Sequence, residues 1–304
     1  MKISVVINVV SEEIRFLERA LVSLTGFAAE IVVVDMTQGD KELEKICEKY
    51  EVKKYPHKKY PFVEKARNYG ISKAHHDWVF IMDPDEEIPK SLAKKLTEIA
   101  LDDLADYVRI PRKNIIFGKY IQHTRYWPDY LIRFFKKGAV TWSSEIHSVP
   151  TTRGRPLDLS SDEKYALIHH NYQTLSQFLV RMDRYTDIQA EEIMAKSKKF
   201  IWKDLLRAPL SEFLSRYFAG EGYKDGLHGL AISLLQSYSE MLVYLKVWEK
   251  EKFLEQAVSA DEVSSEFGLM QSETNWWITD MLIKNKPTLL SLPFRIKRKL
   301  SKNG

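Results

Sequence analysis

The first part of the chain alternates between short apolar runs and amphipathic segments, and this alternation limits the possible folds more than any other feature. The run Ile3 to Val10 is nearly continuous in β-branched residues, which is typical of a strand buried on both faces. Three further strands are expected, at Ile31 to Val34, Val52 to Tyr55 and Trp78 to Met82. Helical spacing occupies the segments between them, at residues 11–24, 41–50 and 62–74, with Ser11 as a possible cap. The order βαβαβαβ predicts a mostly parallel sheet with right-handed crossovers, flanked by helices.

Beyond residue 100 the pattern changes. Strands are predicted at Asp106 to Arg112 and Tyr130 to Phe135, which makes the sheet mixed. Helical spacing prevails from about Ser176, with helices predicted at Leu205 to Phe218, Leu227 to Trp248 and Asp261 to Ile283, and breaks at Pro209, Gly220 and Gly268. We therefore expect an α/β domain over residues 1–175 and a helical region over residues 176–304.

Composition serves mainly to exclude classes of protein. The chain is 44% hydrophobic and 29% charged, as expected for a globular protein, and its net charge of +4 gives no reason to expect a nucleic-acid partner. The single cysteine, Cys47, excludes an internal disulfide and suits a reducing compartment. No signal-peptide pattern and no run of 18 apolar residues occur, so a cytoplasmic protein without a membrane span is expected.

Ligands of an open parallel sheet bind beyond the carboxyl ends of its strands. This rule nominates four segments, which are Asn8 to Glu12, Asp35 to Asp40, Arg67-Asn68 and Asp83 to Glu87. The last of them places up to four carboxylates at one strand end, where a cation would offset their repulsion, and such oxygen ligands suit Mg²⁺ or Mn²⁺. A solvated acidic turn, an Asx turn at Asp35 and an exposed ion pair at Arg67 account for the same residues. A dinucleotide site of the usual kind is disfavoured because the first βα turn lacks Gly-x-Gly-x-x-Gly.

Six motifs in order resemble family 2 glycosyltransferases, which have the GT-A fold. They are Val5-Val-Ile-Asn8 with Ser11-Glu-Glu13, Ile31-Val-Val-Val-Asp35, Ala66-Arg-Asn68-x-Gly70, Asp83-Pro-Asp85-Glu86, Pro128-Asp129 through Arg133 to Gly138 with Ile146-His147, and Ile168-His169-His-Asn-Tyr172. The later motifs, together with Asp225-Gly226-x-x-Gly229, are similar to the branch that contains bacterial lipopolysaccharide-core glucosyltransferases.

The resemblance implies roles for these residues. Asp35 is expected at the base or ribose of the nucleotide, together with the backbone around Asn8, Val9 and Val10. Asp83 and Asp85 correspond to the family's Asp-x-Asp pair, with Asp85 the more direct ligand of Mg²⁺ or Mn²⁺, and His169 completes the metal or diphosphate site unless it is a structural histidine. The other expected nucleotide-sugar contacts are Glu12, Arg67, Asn68, Asp83, Arg133 and His147, with the two arginines steadying the diphosphate.

The expected reaction is direct displacement at the anomeric carbon, which inverts its configuration. The metal offsets charge on the leaving diphosphate, and a carboxylate takes the proton of the acceptor hydroxyl. Glu145 is the first candidate for this base and Asp129 the second. Many relatives carry His-Glu where this chain has His147-Ser148, so either Glu145 substitutes for the missing carboxylate, or His147 serves, or activity is reduced.

The expected partners are a nucleotide-diphosphate sugar, with a uridine diphosphate sugar favoured, and a glycan or lipid-linked acceptor in surface polysaccharide synthesis. After Asp280 the chain carries seven Lys or Arg and no Asp or Glu, a composition that suits peripheral contact with the inner face of an anionic membrane and equally suits a solvated terminus. Trp127 is a candidate for stacking on a sugar ring, and dimerisation through the helical region stays open.

Two other functions fit parts of the pattern. A nucleotidyltransferase also uses paired acids and Mg²⁺, but it needs a glycine-rich basic loop where this chain has Val9 to Glu13. The second is a catalytically inert GT-A scaffold that binds a partner through its helical region, which the departure at Ser148 keeps open.

Overall fold

The computed structural model describes residues 2–59, 64–142, 150–197 and 199–300. The strands are β1 (Ile3–Val9), β2 (Glu30–Asp35), β3 (Lys53–Pro56), β4 (Trp78–Met82), β5 (Glu86–Glu87), β6 (Tyr107–Ile116), β7 (Lys119–Tyr120), β8 (Asp129–Lys136), β9 (Val140–Thr141), β10 (Thr151–Thr152), β11 (Pro156–Asp158) and β12 (Leu167–Tyr172). The α-helices are α1 (Ile14–Ser23), α2 (Lys41–Lys49), α3 (Glu64–Lys73), α4 (Lys90–Leu101), α5 (Leu175–Ala195), α6 (Asp204–Leu214), α7 (Leu227–Lys250), α8 (Ala260–Asn285) and α9 (Thr288–Leu300).

The chain divides into two units, which we call the sheet unit and the helical unit. The sheet unit comprises residues 1–116 and 127–171, and the helical unit comprises residues 117–126 and 172–304. The short segment 117–126 therefore lies with the C-terminal helices, although the chain returns to the sheet unit after it.

A mixed sheet forms the sheet unit. Its strand order is β3-β2-β1-β4-β8-β6-β12-β5, with β11 also paired to β6. The strands β3, β2, β1 and β4 pair in parallel, whereas β8 runs antiparallel to both β4 and β6. The predicted fold class, a mixed and mostly parallel sheet flanked by helices with a helical C-terminal region, is confirmed.

The strand β1 is buried on both faces of the sheet and carries apolar side chains on each. Ile3, Val5, Ile7 and Val9 pack in one apolar cluster with α1, α2 and α4, whereas Val6 packs in the other with α3. The helix α3 approaches the sheet closely at Gly70, where an added Cβ would lie 2.4 Å from Cγ1 of Val6.

The predicted elements are present, but three details of the expectation are wrong. Ser11 does not cap α1, because residues 11–13 form a 3₁₀ turn and the helix begins at Ile14 without a side-chain cap. Pro209 and Gly268 lie inside α6 and α8 rather than at breaks. Their helix penalties of roughly 3 and 1 kcal/mol are evidently outweighed by packing. The expected break does occur at Gly220, which ends a π-helical turn from Ser215 to Ala219.

Within the helical unit, hydrogen bonds to Asp225 join the segment 117–126 to the turn that precedes α7. Its buried carboxylate accepts hydrogen bonds from the main-chain N–H groups of Gln122 (3.3 Å) and His123 (2.9 Å) and pairs with the His123 ring at 3.0 Å. A Cβ at Gly229 would lie 1.9 Å from the carbonyl oxygen of Gly222, so only glycine fits there. The Asp225-Gly226-x-x-Gly229 motif is therefore a structural anchor of this unit.

In the described part of the chain, no helix combines the length and apolar character that a bilayer crossing requires.

Candidate active site

Two motifs about eighty residues apart in sequence meet through the pairing of β5 with β12. In that antiparallel pair, Glu86 lies opposite His169 and Glu87 lies opposite Ile168. Asp85, the residue before β5, is 3% exposed, and His169 is 7% exposed. The Nε2 atom of His169 lies 3.6 Å from Oδ1 of Asp85. The structure thus brings together two of the three predicted metal ligands.

The third predicted ligand, Asp83, faces arginines. Both of its carboxylate oxygens accept hydrogen bonds from the guanidinium of Arg133, and Arg67 lies 3.5 Å from Oδ1. Burial opposes ionisation of Asp83, but the guanidinium charges of Arg133 and Arg67 dominate and hold its pKa well below the usual range. Asp83 is therefore an ionised carboxylate with its charge offset by protein cations.

Glu86 is the buried centre of the same network. Its side chain accepts from Arg133 at 3.1 Å, and it also accepts from the main-chain N–H of Asp83 at 2.8 Å. Burial raises the pKa of Glu86, although Arg133 opposes this shift. The guanidinium of Arg133 thus offsets part of the charge of these crowded carboxylates.

A third arginine, Arg112 on β6, extends the network of Arg133 and Arg67 to Asp129. Two guanidinium nitrogens of Arg112 donate to Oδ2 of Asp129, at 2.8 and 2.7 Å, and Asn114 donates to the same oxygen at 3.1 Å. Burial favours the neutral acid, but the nearby Arg112 charge prevails and lowers the pKa of Asp129. A carboxylate held in this way is a weak proton acceptor. Four carboxylates (Asp83, Asp85, Glu86, Asp129) and three arginines (Arg67, Arg112, Arg133) thus lie close together among the described residues.

The predicted nucleotide contacts lie at the carboxyl ends of β1 and β2. In the parallel register Asn8 pairs with Val34 and Val9 with Asp35, so the main chain of Asn8, Val9 and Val10 lies at the carboxyl end of β2. Oδ1 of Asp35 accepts from the N–H and hydroxyl of Thr37, as in an Asx turn, and its Oδ2 lies 3.9 Å from Lys54 Nζ.

Asn8 is the unusual residue of this group. It is 1% exposed, and neither polar atom of its amide has a hydrogen-bond partner within the described residues. Buried side-chain amides are ordinarily paired, so an orphaned one marks a position where a polar ligand or a water molecule would be stabilised.

Other predicted contacts have protein partners. Asn68 bonds to the main chain of Trp142 through both ends of its amide, at 2.7 and 3.1 Å, so it positions the chain immediately before residue 143. Glu12 forms an exposed ion pair with Lys59. Two predicted residues, Glu145 and His147, lie outside the described residues. Among those described, no group of three or more His, Cys, Asp or Glu side chains is arranged to hold a metal ion.

Sequence reasoning missed Arg112 and Asn114, and it assigned no role to Glu86. One signal was available, because Arg112 and Asn114 are polar residues two apart in a strand and therefore lie on the same face. The predicted strand ended at Arg112, however, so Asn114 was left outside it.

The chain matches the family model "Glycosyl transferase family 2" over residues 4–158. It is 22% identical to an uncharacterized glycosyltransferase of Rickettsia bellii, over 88% of this chain and 92% of that protein. It is 20% identical to the lipopolysaccharide core biosynthesis glycosyltransferase LpsC of Rhizobium meliloti, over 60% of this chain and 68% of that one. Among solved structures it is similar to S. aureus TarS 1–349, with a TM-score of 0.43 and 15% identity over 85% of this chain and 94% of that one.

The sheet topology, the site at its carboxyl edge and the family match define a nucleotide-sugar-dependent transferase with the GT-A fold. The chain belongs to glycosyl transferase family 2, and it is a glycosyltransferase.

Proposed function

We propose that this glycosyltransferase is an inverting, metal-dependent enzyme that transfers a sugar from a uridine diphosphate sugar to an acceptor hydroxyl of a surface glycan. The observation that carries nucleotide binding is the orphaned amide of Asn8, because Asn8 lies near the carboxyl end of β1, where parallel sheets bind their ligands. A side-chain amide offers both a donor and an acceptor, which suits the polar edge of a nucleobase.

The variant Asn8→Leu tests this role, because leucine has a similar shape and no polar atoms. A buried polar group without a partner costs about 1–3 kcal/mol, so the variant should unfold at a higher urea concentration than the wild type. The affinity for UDP, measured by calorimetry, should nevertheless fall at least about tenfold. The matched control is Ser4→Ala at the opposite end of β1, which removes a hydroxyl bonded to Glu30 and should leave UDP affinity unchanged.

If no nucleoside diphosphate or nucleotide sugar binds the folded wild-type chain, the proposed function is wrong. If the chain instead converts a nucleoside triphosphate and a sugar 1-phosphate into a nucleotide sugar and pyrophosphate, it is a nucleotidyltransferase. Binding without any turnover would favour the inert scaffold.

The residues present fit a divalent cation at Asp85 and His169. Family 2 enzymes are commonly metal-dependent, and Mg²⁺ or Mn²⁺ sites in such proteins combine one or two carboxylates or an imidazole with substrate phosphates. A bound cation would offset charge on the leaving diphosphate. Asp83 would contribute to diphosphate binding indirectly, because it holds Arg133 and Arg67 in place.

For the base we retain Glu145 as the first candidate. Asp129 is the weaker one, because Arg112 and Asn114 occupy its Oδ2 atom and its pKa is lowered. The variant Glu145→Gln should therefore reduce turnover more than Asp129→Asn when both are compared at equal UDP occupancy.

The similarity to LpsC supports an acceptor in the lipopolysaccharide core or a related surface polysaccharide. The basic tail supports peripheral contact with the inner face of the membrane. In α9, the side chains of Leu289, Leu290 and Leu292 are exposed, and Arg295 lies one turn further on. Exposed leucines beside an excess of cations match the chemistry of an anionic lipid surface.

Co-sedimentation with phosphatidylglycerol vesicles tests the membrane contact. Binding should fall in a Leu289→Ser, Leu290→Ser double variant and at high salt, and it should be absent with phosphatidylcholine vesicles. The control is Leu101→Ser, an equally exposed leucine on α4. Unchanged binding in the double variant would rule out α9 as the contact. Light scattering on the protein without vesicles would test whether the chain forms a dimer, which the sequence leaves open.

A further inference from the structure

Asn114 connects the ion-pair network to the proposed metal site. It lies on β6 and is 0% exposed. Its Nδ2 atom is 3.1 Å from Oδ2 of Asp129, and its Oδ1 atom is 2.6 Å from Nδ1 of His169. The side chain thus contacts two titratable groups through opposite ends of its amide.

The orientation of this amide follows from Asp129. Arg112 donates two hydrogen bonds to that carboxylate, so Asp129 is ionised and can only accept. The NH₂ group of Asn114 must therefore face Asp129, and its carbonyl oxygen must face His169. The reverse orientation would bring the amide oxygen against a carboxylate oxygen.

The orientation of Asn114 in turn determines where His169 carries its proton. An amide oxygen only accepts, so Nδ1 of His169 must be the donor. When the ring carries only this proton, Nε2 presents its lone pair to Asp85, whose Oδ1 atom is 3.6 Å away. That separation is too long for a good hydrogen bond, and both residues are buried. Two electron-pair donors that face each other in this way suit a cation between them.

We propose that Asn114 is a positioning residue that fixes His169 as the Nδ1–H tautomer, so that Nε2 and Asp85 together face a divalent cation. This inference rests on the metal dependence proposed above. Partners of this kind, which orient a metal-binding imidazole through its other nitrogen, typically change metal affinity ten- to hundredfold when removed. The chain Arg112–Asp129–Asn114–His169 supplies that orientation entirely from the sheet unit.

The first experiment is ¹⁵N NMR of histidine-labelled wild-type protein at pH 7.5 without metal, with the His169 signals assigned through His169→Gln. The expected result is a neutral ring with its proton on Nδ1. A proton on Nε2, or a doubly protonated ring paired with Asp85, would overturn the proposal. This measurement needs no Asn114 variant, so it stands even if such a variant does not fold.

The second experiment titrates Mn²⁺ into UDP-saturated protein and follows bound metal by electron paramagnetic resonance. Asn114→Leu should lower the affinity for Mn²⁺ ten- to hundredfold while metal-free UDP binding is retained. The control is His170→Gln, which removes the neighbouring imidazole that pairs instead with Glu87. Mn²⁺ affinity unchanged in Asn114→Leu would overturn the positioning role. If the wild type itself bound no Mn²⁺, the proposed metal dependence would fail first.

Discussion

An aspartate and a histidine lie close together in each unit, but the two pairs differ in how they are satisfied. In the helical unit, Asp225 accepts two main-chain N–H groups, and the His123 ring is within hydrogen-bonding distance at 3.0 Å. In the sheet unit, Nε2 of His169 lies 3.6 Å from Oδ1 of Asp85, and Nδ1 of the same ring lies 2.6 Å from Oδ1 of Asn114.

We infer from this difference that the Asp225–His123 pair has a structural role and the Asp85–His169 pair a functional one. The bonds of Asp225 join two chain segments, so we expect this carboxylate to contribute to stability. The Nε2–Oδ1 separation of His169 and Asp85 is too long for a good hydrogen bond, and both residues belong to the proposed metal site. We therefore expect Asp85 to matter for turnover and Asp225 to matter for folding.

The largest expected effect is the loss of turnover in Asp85→Asn. Removal of the carboxylate charge that would hold the cation should reduce the rate of nucleoside diphosphate release about 10²–10³-fold, which is the size of effect seen when one preorganised electrostatic contact is lost. The midpoint of urea unfolding should change little. The control is Asp158→Asn, an exposed partner of Arg109, which should leave the rate unchanged. A rate within about threefold of wild type would remove Asp85 from the reaction.

The complementary variant is Asp225→Ala, which should destabilise the protein. It leaves the N–H groups of Gln122 and His123 without their acceptor, at a cost of about 2–4 kcal/mol in the free energy of unfolding. Urea denaturation measures this, with the exposed Asp261→Ala as a control. If Asp225→Ala were as stable as wild type but inactive, the division between a structural and a functional pair would be wrong.

The strand ends that carry the site were predictable, because a βαβ order fixes which end of a parallel sheet holds the ligands. Asp35, Asp83 and Asp85 followed directly from that rule. The partners of those residues were not predictable in the same way. Arg112 meets Asp129 only because β6 pairs with β8, and one strand's alternation says nothing about which strand lies beside it.

Local chemistry alone favoured an Asx turn at Asp35, and the family resemblance favoured a nucleotide contact. The same carboxylate that suits a ribose also suits an Asx turn, and the structure shows the turn at Oδ1. Similarly, the family resemblance made Arg133 a candidate for steadying the diphosphate, and its guanidinium binds Asp83 and Glu86 in this structure. Such choices depend on competition between partners that only the folded arrangement brings within reach.

The smallest expected effect concerns a third pair, Glu30 with His75 in the sheet unit. Burial opposes ionisation of Glu30, but hydrogen bonds from Lys53, His75 and Ser4 prevail and lower its pKa to about 2. Because this folded value lies below the unfolded one, the stabilisation is present above about pH 4.5 and is lost as the pH falls towards 2.

At pH 7, Glu30→Gln should therefore lower the free energy of unfolding by about 2 kcal/mol, with allowance for screening at a partly exposed pair. That deficit should shrink between pH 5 and pH 3, as urea denaturation at each pH would show. Ser4→Ala, which removes one donor to the same carboxylate, should reproduce part of the loss. A deficit that does not change with pH would mean that Glu30 acts through packing rather than charge. The pair would then differ in kind from Asp225, whose proposed contribution depends on hydrogen bonds to its carboxylate.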